Sequence, residues 1–316
     1  MESVGNPWLW VAFLSVILAL LALDLGIFHK KDQVVPAREA MAWVAVWATL
    51  AMLFDAFVWW RFGAPKAIDF LTGYLIEMSL SVDNLFVFVI VFTTFRIPPH
   101  LQHRVLFWGI LTALVLRGAM ILAGTALLQR FHWLIYLFGA FLLLTGVKLF
   151  FHKEEAHHPE HSWAFRLLRK VVPATPTLQG NHFFVREGGR HLATPMFLCL
   201  ALIEVSDVVF AIDSVPAIFG VTLDPFIVFT SNIFAILGLR SMYFALAHLL
   251  GRFEYLKTGL ALVLVFIGVK MSISGWVHIH SVLSLAVVAS LLGTSMIYSL
   301  VKTRRVAAGD RGQGAA

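Results

Sequence analysis

The sequence predicts an all-α membrane protein, a polytopic transmembrane helix bundle of about nine spans that contains inverted three-helix repeats. Of its 316 residues, 59% are hydrophobic and only 13% are charged, whereas soluble domains carry about 45–50% apolar and about 25% charged residues. The apolar residues form runs of roughly 20, the length of a helix that crosses a bilayer. Basic residues are concentrated in alternate connections. These observations argue against a soluble enzyme, a disordered chain and a disulfide-stapled secreted module.

Nine apolar segments define the predicted spans. They are Pro7–Phe28, Met41–Trp60, Ala67–Phe95, His103–Leu128, Phe131–Phe151, Thr194–Gly220, Pro225–Leu250, Glu254–Gly275 and Val277–Val301. The first lacks a basic leader and a cleavage site, so we expect it to be a retained helix rather than a signal peptide. The connections at Gln129-Arg130 and from Gly220 to Pro225 are short enough to form helix hairpins.

The distribution of Lys and Arg predicts the orientation in the membrane. The first, third and later alternate connections and the C-terminal segment hold most of these residues, whereas the other connections hold only Arg61, Lys66 and Arg130. Because cytoplasmic loops are enriched in Lys and Arg, we expect the N-terminus outside and the C-terminus in the cytoplasm. The net charge of +6 is then explained by basic residues on the cytoplasmic side of the lipid bilayer, and no nucleic-acid partner is expected.

The spans form a single predicted transmembrane domain, residues 1–306, followed by a tail at 307–316 that we expect to be disordered. The one long connection, 152–193, is polar and predicted to be cytoplasmic. It includes a possible amphipathic helix near Trp163–Lys170. It also contains a histidine cluster, which we interpret as a solvated loop, with metal collection as the alternative. That cluster is His152, His157, His158 and His161.

An internal repeat relates three helices to three later ones. The matching segments are Asp83–Phe86 with Asp207–Phe210, Leu116-Arg117 with Leu239-Arg240, and Gly146–Lys148 with Gly268–Lys270. Repeat one covers about 67–151 (helices 3–5) and repeat two about 194–275 (helices 6–8). Helix 3 runs inward and helix 6 outward, so the triplets have opposite topology. Inverted repeats are typical of transporters that bind their substrate near the membrane midplane.

Acidic side chains within the predicted spans are the candidate functional residues, because an ionisable group at the centre of a span costs roughly 2.5–3.5 kcal/mol. They are Asp24, Asp55, Glu77, Asp83, Glu204, Asp207 and Asp213. Glu77, Ser81 and Asn84 share one helix face, and Glu204 and Asp207 share another. We therefore expect two facing helices of the repeats to direct carboxylates toward one central point. Asp55 lies near a helix end, where a solvated position is equally compatible with the sequence.

The chemistry of these side chains predicts a hard divalent cation. Carboxylate, amide and hydroxyl oxygens suit Mn²⁺, Ca²⁺ or Mg²⁺. The single cysteine, Cys199, excludes a thiolate cage, and no intramembrane histidine cluster favours Zn²⁺. The ion is predicted to be cargo, with no resident cofactor. Pro216 predicts a kink or break in helix 6, which would free carbonyl groups beside Asp213.

Structural ion pairs are the alternative explanation for any single acid. The intramembrane bases that could pair with them are Arg117, Arg240, Lys148 and Lys270. Acids outnumber these bases and cluster in the equivalent helices, which favours a shared cation site over seven separate pairs. Arg117 and Arg240 occupy equivalent repeat positions, so we interpret them as structural partners or gates rather than ligands.

Three motifs make the chain resemble the TerC family of integral membrane proteins, over about residues 8–302. They are EMSLSVDNL at 77–85, EVSD at 204–207 followed by FAIDSVPAI at 210–218, and FIVFTSNIFAILGLRS at 226–241. The most similar subgroup is the Alx type, which includes manganese exporters. The resemblance implies a bacterial inner-membrane protein linked to Mn²⁺ export.

The resemblance also places seven residues at the acidic motif positions of the family. They are Asp24, Glu77, Asp83, Asn84, Glu204, Asp207 and Asp213. The two halves differ at two of these positions, since Val208 is opposite Asn84 and Val89 is opposite Asp213. The implied metal site is therefore pseudo-symmetric at best.

The sequence thus leads to a secondary transporter that exports Mn²⁺, with exchange for protons as one driving reaction. No G-x-x-x-x-G-K-[ST] motif for ATP is present. One alternative is a membrane chaperone that supplies Mn²⁺ to exported proteins, and another is Ca²⁺ transport. An intramembrane enzyme is disfavoured, because no nucleophile–histidine arrangement or HExxH motif occurs. The sequence leaves the oligomeric state open.

Overall fold

The computed structural model describes residues 3–28, 36–151, 172–175, 177–187, 190–246, 256–277 and 279–313. These ranges contain nine α-helices: α1 Pro7–Phe28, α2 Ala37–Phe62, α3 Ala64–Thr94, α4 Pro99–Arg130, α5 Leu134–Phe151, α6 Pro195–Phe219, α7 Pro225–Leu246, α8 Leu256–Ser272 and α9 Ser281–Gln313. An antiparallel hairpin, β1 Phe184–Glu187 and β2 Arg190–Ala193, precedes α6. The predicted helix at Trp163–Lys170 and the histidine cluster lie outside the described residues. The all-α prediction is confirmed.

Proline residues begin four of these helices, because the first helical position needs no N–H donor. They are Pro7, Pro99, Pro195 and Pro225. The two connections are short, as predicted, although the first lies at 131–133 and Gln129-Arg130 are the last residues of α4. Three residues separate α4 from α5, and five separate α6 from α7.

Two local expectations differ from the structure. First, α6 is one continuous helix through Pro216; the proline lies only one turn from the C-terminal end, and its carbonyl still accepts a hydrogen bond from Gly220 N (3.1 Å). Second, α9 extends to Gln313 and so covers most of the tail that we expected to be disordered. The tail prolongs an existing helix, and adding residues to a formed helix requires no new nucleation.

The helices carry the apolar surface that a bilayer requires. Five described helices are long and apolar enough to span a membrane, within Arg38–Phe62, Pro99–Arg130, Pro195–Phe219, Pro225–Ala245 and Ser281–Ser299. Shorter apolar helices occur at Pro7–Leu23, Leu134–Phe150 and Thr258–Ser272. Large apolar side chains such as Leu144 (71% exposed) and Ile297 (64%) face outward. The chain is therefore a multi-pass membrane protein.

Five of the six exposed tryptophans among the described residues mark one end of the bundle, which we call the tryptophan end. They are Trp8, Trp59, Trp60, Trp133 and Trp276; the sixth, Trp108, lies in the first half of α4. Contacts between the starts of α1, α3 and α7 show that these helices begin at the same end. Tryptophan is enriched at membrane–water interfaces, so this end marks one bilayer surface. We call the opposite end, where β1 and β2 lie, the hairpin end.

Asp224 joins three helix starts at the tryptophan end. Its carboxylate accepts hydrogen bonds from Phe226 N, Val4 N, Ser3 Oγ and Lys66 Nζ, each at 3.1 Å. Because Asp224 directly precedes Pro225, it is the N-cap of α7. One buried carboxylate thus caps a helix and fastens both the N-terminal segment and the start of α3.

We expect Asp224→Ala to lower the free energy of unfolding by about 2–3 kcal/mol, because it removes the cap and leaves the buried Phe226 N and three part-buried donors without their acceptor. Thermal unfolding of the detergent-solubilised protein measures this loss. Asp224→Asn is the matched control, since its amide oxygen still accepts, and should recover at least half of the difference. Equal stability of the alanine variant and the wild type would contradict this account.

Helices α5 and α8 pack backbone against backbone at glycines. A Cβ at Gly268 would lie 2.8 Å from Gly139 O, and a Cβ at Gly146 would lie 2.9 Å from Ala261 O. Small residues permit such close approach in membranes. The two contacts are equivalent under the predicted repeat. The repeat relates Gly139 to Ala261 and Gly146 to Gly268, so the first contact becomes the second when the two triplets are exchanged. The predicted repeat also relates α3 to α6 and α4 to α7. Accordingly, α3 packs against α7, and α6 packs against α4.

An aromatic cluster fills the bundle toward the tryptophan end. Its members are Trp10, Phe13, Phe54, Phe70, Phe226, Phe229 and Phe234. Neighbouring ring centroids lie 5.1–6.4 Å apart in tilted or edge-on geometries, the arrangement preferred by aromatic pairs. This cluster fills the space between α1, α2, α3 and α7 on the tryptophan-end side of the bundle centre.

Candidate functional site

The guanidinium of Arg117 lies at the centre of the bundle, 1% exposed. Its Nε and Nη2 donate to the Asp207 carboxylate at 3.0 and 2.6 Å. Its Nη1 donates to Glu77 Oε1 and, at 3.5 Å, to Asn232 Oδ1. Glu77 and Asp207, from the two predicted repeats, therefore converge on one group.

Four helices supply this site. Glu77, Ser81 and Asn84 lie on one face of α3, as their spacing predicted; Arg117 comes from α4, Asp207 from α6 and Asn232 from α7. All six side chains are buried. Asn84 Nδ2 also donates to Asp207 Oδ1 at 3.4 Å. We call these six residues the central polar cluster.

The central polar cluster retains unused polar atoms. Among the described residues, four of its buried atoms have no hydrogen-bond partner: Glu77 Oε2, Ser81 Oγ, Asn84 Oδ1 and Asn232 Nδ2. Buried polar atoms are normally paired, and three of these four are oxygens. The cluster therefore has oxygen donor capacity beyond what the arginine uses.

The cluster also carries excess negative charge. Among its six residues, two carboxylates and one guanidinium give a formal charge of −1, and burying an uncompensated charge is expensive. The ion-pair alternative therefore accounts for the contacts of Glu77 and Asp207, but the single charge of Arg117 does not balance the two carboxylates.

Glu204 lies beside this cluster in a different environment. It is one turn from Asp207 on α6 and only partly buried. Thr112 Oγ1 donates to its Oε1, whereas Oε2 has no partner among the side chains that the structure describes.

Glu204 and Asp207 line a small cavity between α3, α4, α6 and α7. Its other lining residues are Phe88, Leu106, Gly109, Ile110, Ala113, Ile203, Ile236, Leu239 and Arg240. The cavity volume is about 10 Å³, about the space of a single water. These residues come from the parts of the helices nearer the hairpin end, so the cavity and the aromatic cluster lie on opposite sides of Arg117.

The other predicted site residues are distributed as follows. Asp24, Asp83 and Asp213 lie in α1, α3 and α6, and their side chains are outside the described set. Arg240 lines the cavity. Lys148 faces outward on α5. Lys270 lies near Asp69. Asp69 precedes Glu77 by two turns of α3, or about 12 Å, so Lys270 is not part of the central polar cluster.

Three polar residues of these sites were not selected from the sequence. Asn232 lies in a recognised motif, and its amide within an apolar span was the available signal. Asp69 satisfies the criterion that selected the other acids; it is buried near the hydroxyls of Thr222 and Ser281. Thr112 carries no signal, since an intramembrane threonine usually bonds its own helix, as this one also does with Trp108 O.

The central polar cluster contains few acidic residues. In the part of the chain that the structure describes, no three His, Cys, Asp or Glu residues come close enough to hold a metal ion. Glu77 and Asp207 lie instead with amide and hydroxyl oxygens, and these are donors that hard divalent cations prefer.

The chain is similar to a family of membrane proteins and to individual members of bacterial origin. The family model described as "Integral membrane protein TerC family" matches residues 62–307. A membrane protein of Myxococcus xanthus is 57% identical over 98% of this chain and 97% of its own length. A protein of Escherichia coli (strain K12), named as a candidate membrane-bound redox modulator, Alx, is 48% identical over 94% of this chain and 95% of its own. No solved structure matches.

Proposed function

The chain belongs to the TerC family of integral membrane proteins, and from that premise we propose that it is a secondary transporter that exports Mn²⁺ from the cytoplasm. The observation that supports this most directly is the convergence of Glu77 and Asp207, buried carboxylates from the two predicted repeats, on one point. Intramembrane acids that face a bundle interior mark ion pathways.

The oxygen donors support a hard divalent cation as the class of cargo. Without the guanidinium, Glu77 and Asp207 carry a charge of −2, which one divalent cation neutralises. Ser81 and Asn84 add neutral oxygens that have no partner within the described residues. Such all-oxygen sets suit Mn²⁺ and Ca²⁺, so Ca²⁺ remains the competing cargo.

The position of the cavity supports loading from the hairpin end. The cavity reaches Asp207 from that side, whereas the aromatic cluster lies between Arg117 and the tryptophan end. The distribution of Lys and Arg predicts that the hairpin end is cytoplasmic. Cytoplasmic Mn²⁺ would thus meet Glu204 and Asp207 first. Carboxylates bind metal only when deprotonated, which makes proton exchange the candidate driving reaction.

The name of the Escherichia coli relative suggests a redox role, which this chain is poorly equipped to perform directly. Cys199 is its only cysteine, so no disulfide can form within it. The thiol is fully buried among apolar side chains such as Met196 and Leu202. A change in cellular Mn²⁺ would link transport to redox balance indirectly. A chaperone that binds Mn²⁺ without moving it is the second candidate.

Purified protein in liposomes that contain a Mn²⁺-sensitive dye tests the proposal. We expect protein-dependent Mn²⁺ flux that saturates with concentration and exceeds Ca²⁺ flux in parallel vesicles. Glu39→Gln, an exposed carboxylate at the start of α2, is a matched control that should transport normally. Saturable Mn²⁺ binding without flux would favour the chaperone, and preferred Ca²⁺ flux would reassign the cargo.

A further inference from the structure

Arg117 occupies the position that the proposed function assigns to the cargo. We propose that its guanidinium is a tethered counter-cation, which holds Glu77 and Asp207 while the site is empty and moves to Glu204 when a divalent cation binds. The inference rests on the proposed function, because it concerns how the same site exchanges its occupant.

Charge provides the first argument. In the observed arrangement the guanidinium bonds to both carboxylates that would bind the metal. A divalent cation inserted beside it would face a positive charge at contact distance. A divalent cation in place of the guanidinium neutralises the pair, so metal and arginine exclude each other.

Helix geometry provides the second argument, a place for the displaced side chain. Side chains on an α-helix lean toward its N-terminus, and for Arg117 that is the direction of Ala113 and Gly109, one and two turns earlier on α4. Both residues line the cavity. The side chain can therefore turn toward this cavity, which holds the volume of about one water and must widen between α4 and α6 to admit the guanidinium.

Glu204 is the receiving group at that position. It lines the same cavity, and a Cβ at Gly109 would lie 3.5 Å from its Oε1. Thr112 fixes that oxygen, while Oε2 has no partner among the described side chains. Moving Arg117 to Glu204 gives two neutral groups in place of a negative cluster beside an unpaired acid: Mn²⁺ with Glu77 and Asp207, and Arg117 with Glu204.

This exchange has a chemical consequence for the empty carrier. Two bare carboxylates could not remain buried without a counter-cation or protons. Arginine stays charged at every physiological pH, so it competes with metal independently of pH. Arg117 would thus allow the empty protein to change conformation without carrying a second metal ion.

A double-mutant cycle tests the exchange, with Mn²⁺ binding to the detergent-solubilised full-length protein followed by the loss of the free-ion paramagnetic resonance signal. We expect Arg117→Gln to bind Mn²⁺ at least about tenfold more tightly than the wild type. Glu204→Gln, which keeps its volume and its bond to Thr112, should weaken binding about tenfold in the wild type. In the Arg117→Gln background, Glu204→Gln should change the Mn²⁺ affinity by less than about twofold, because no displaced guanidinium is then present to pair with Glu204.

The alternatives give different outcomes. Equal weakening by Glu204→Gln in both backgrounds would make Glu204 a direct ligand and overturn the proposal. Weaker Mn²⁺ binding by Arg117→Gln would overturn it too, since the arginine would then only support the site. If Arg117→Gln fails to fold, Arg117→Met, which also removes the positive charge, replaces it with the same expected directions. Absence of flux in the wild type would reject transport, whereas the cycle decides the arginine exchange from binding alone.

Discussion

Asp207→Asn is expected to reduce Mn²⁺ flux to below about 1% of the wild-type rate. Asp207 is the most connected member of the central polar cluster, bonded to Arg117 through two nitrogens and to Asn84. The substitution halves the negative charge available to a divalent cation and replaces an ionic ligand. A loss of about 3 kcal/mol in ion binding corresponds to more than a hundredfold in affinity. Initial rates in dye-loaded liposomes measure the effect.

Two comparisons make that result specific. Asp224→Asn applies the same chemical change to a buried aspartate at the tryptophan end and should keep at least half of the flux per reconstituted protein. Size-exclusion profiles of both variants should match the wild type, because asparagine preserves the volume of the side chain. If Asp207→Asn transports as fast as Asp224→Asn, the cargo does not use the central polar cluster.

Gly268→Leu is expected to lower the free energy of unfolding by at least about 3 kcal/mol, the upper end of overpacking costs. A Cβ at this position would lie 2.7 Å from Leu143 N and 2.8 Å from Gly139 O. Both atoms belong to the backbone of α5, so no side-chain rotation relieves the clash and the helices must separate. Thermal unfolding in detergent, followed by circular dichroism, measures the loss.

Gly293→Leu is the matched control on α9. A Cβ at Gly293 would meet no atom within 4 Å, and an aliphatic residue has a higher helix propensity than glycine by about 0.5–1 kcal/mol. Its stability should equal or slightly exceed that of the wild type. Similar destabilisation by both leucines would mean that the contact between α5 and α8 does not limit stability.

Much of the fold was predictable because helix boundaries depend on local chemistry. The predicted first span has the bounds of α1, and Pro225 marks the start of α7. Pro216 predicted a kink or a break, and the break does not occur because the proline lies only one turn from the end of α6. The kink stays a prediction. The prediction of a disordered tail weighed its composition and overlooked that α9 could simply continue into it.

The site was predictable in its residue types and only partly in its pairings. The spacing of Glu77, Ser81 and Asn84 specified a shared face, which the structure shows. It could not specify that Arg117, 40 residues from Glu77 and 90 from Asp207, would join the two acids, because that depends on how helices are rotated against each other. Lys270 illustrates the same limit, since its neighbour Asp69 precedes the predicted cluster by two turns.

The buried thiol of Cys199 has a practical consequence for studying this protein. Because the chain contains no other cysteine and this one is wholly covered, the wild type is a nearly silent background for maleimide reagents. A cysteine introduced along α4, at Leu106 or Ala113, would then be labelled only when water reaches it. The native chain thus permits accessibility mapping from each compartment without first removing a reactive residue.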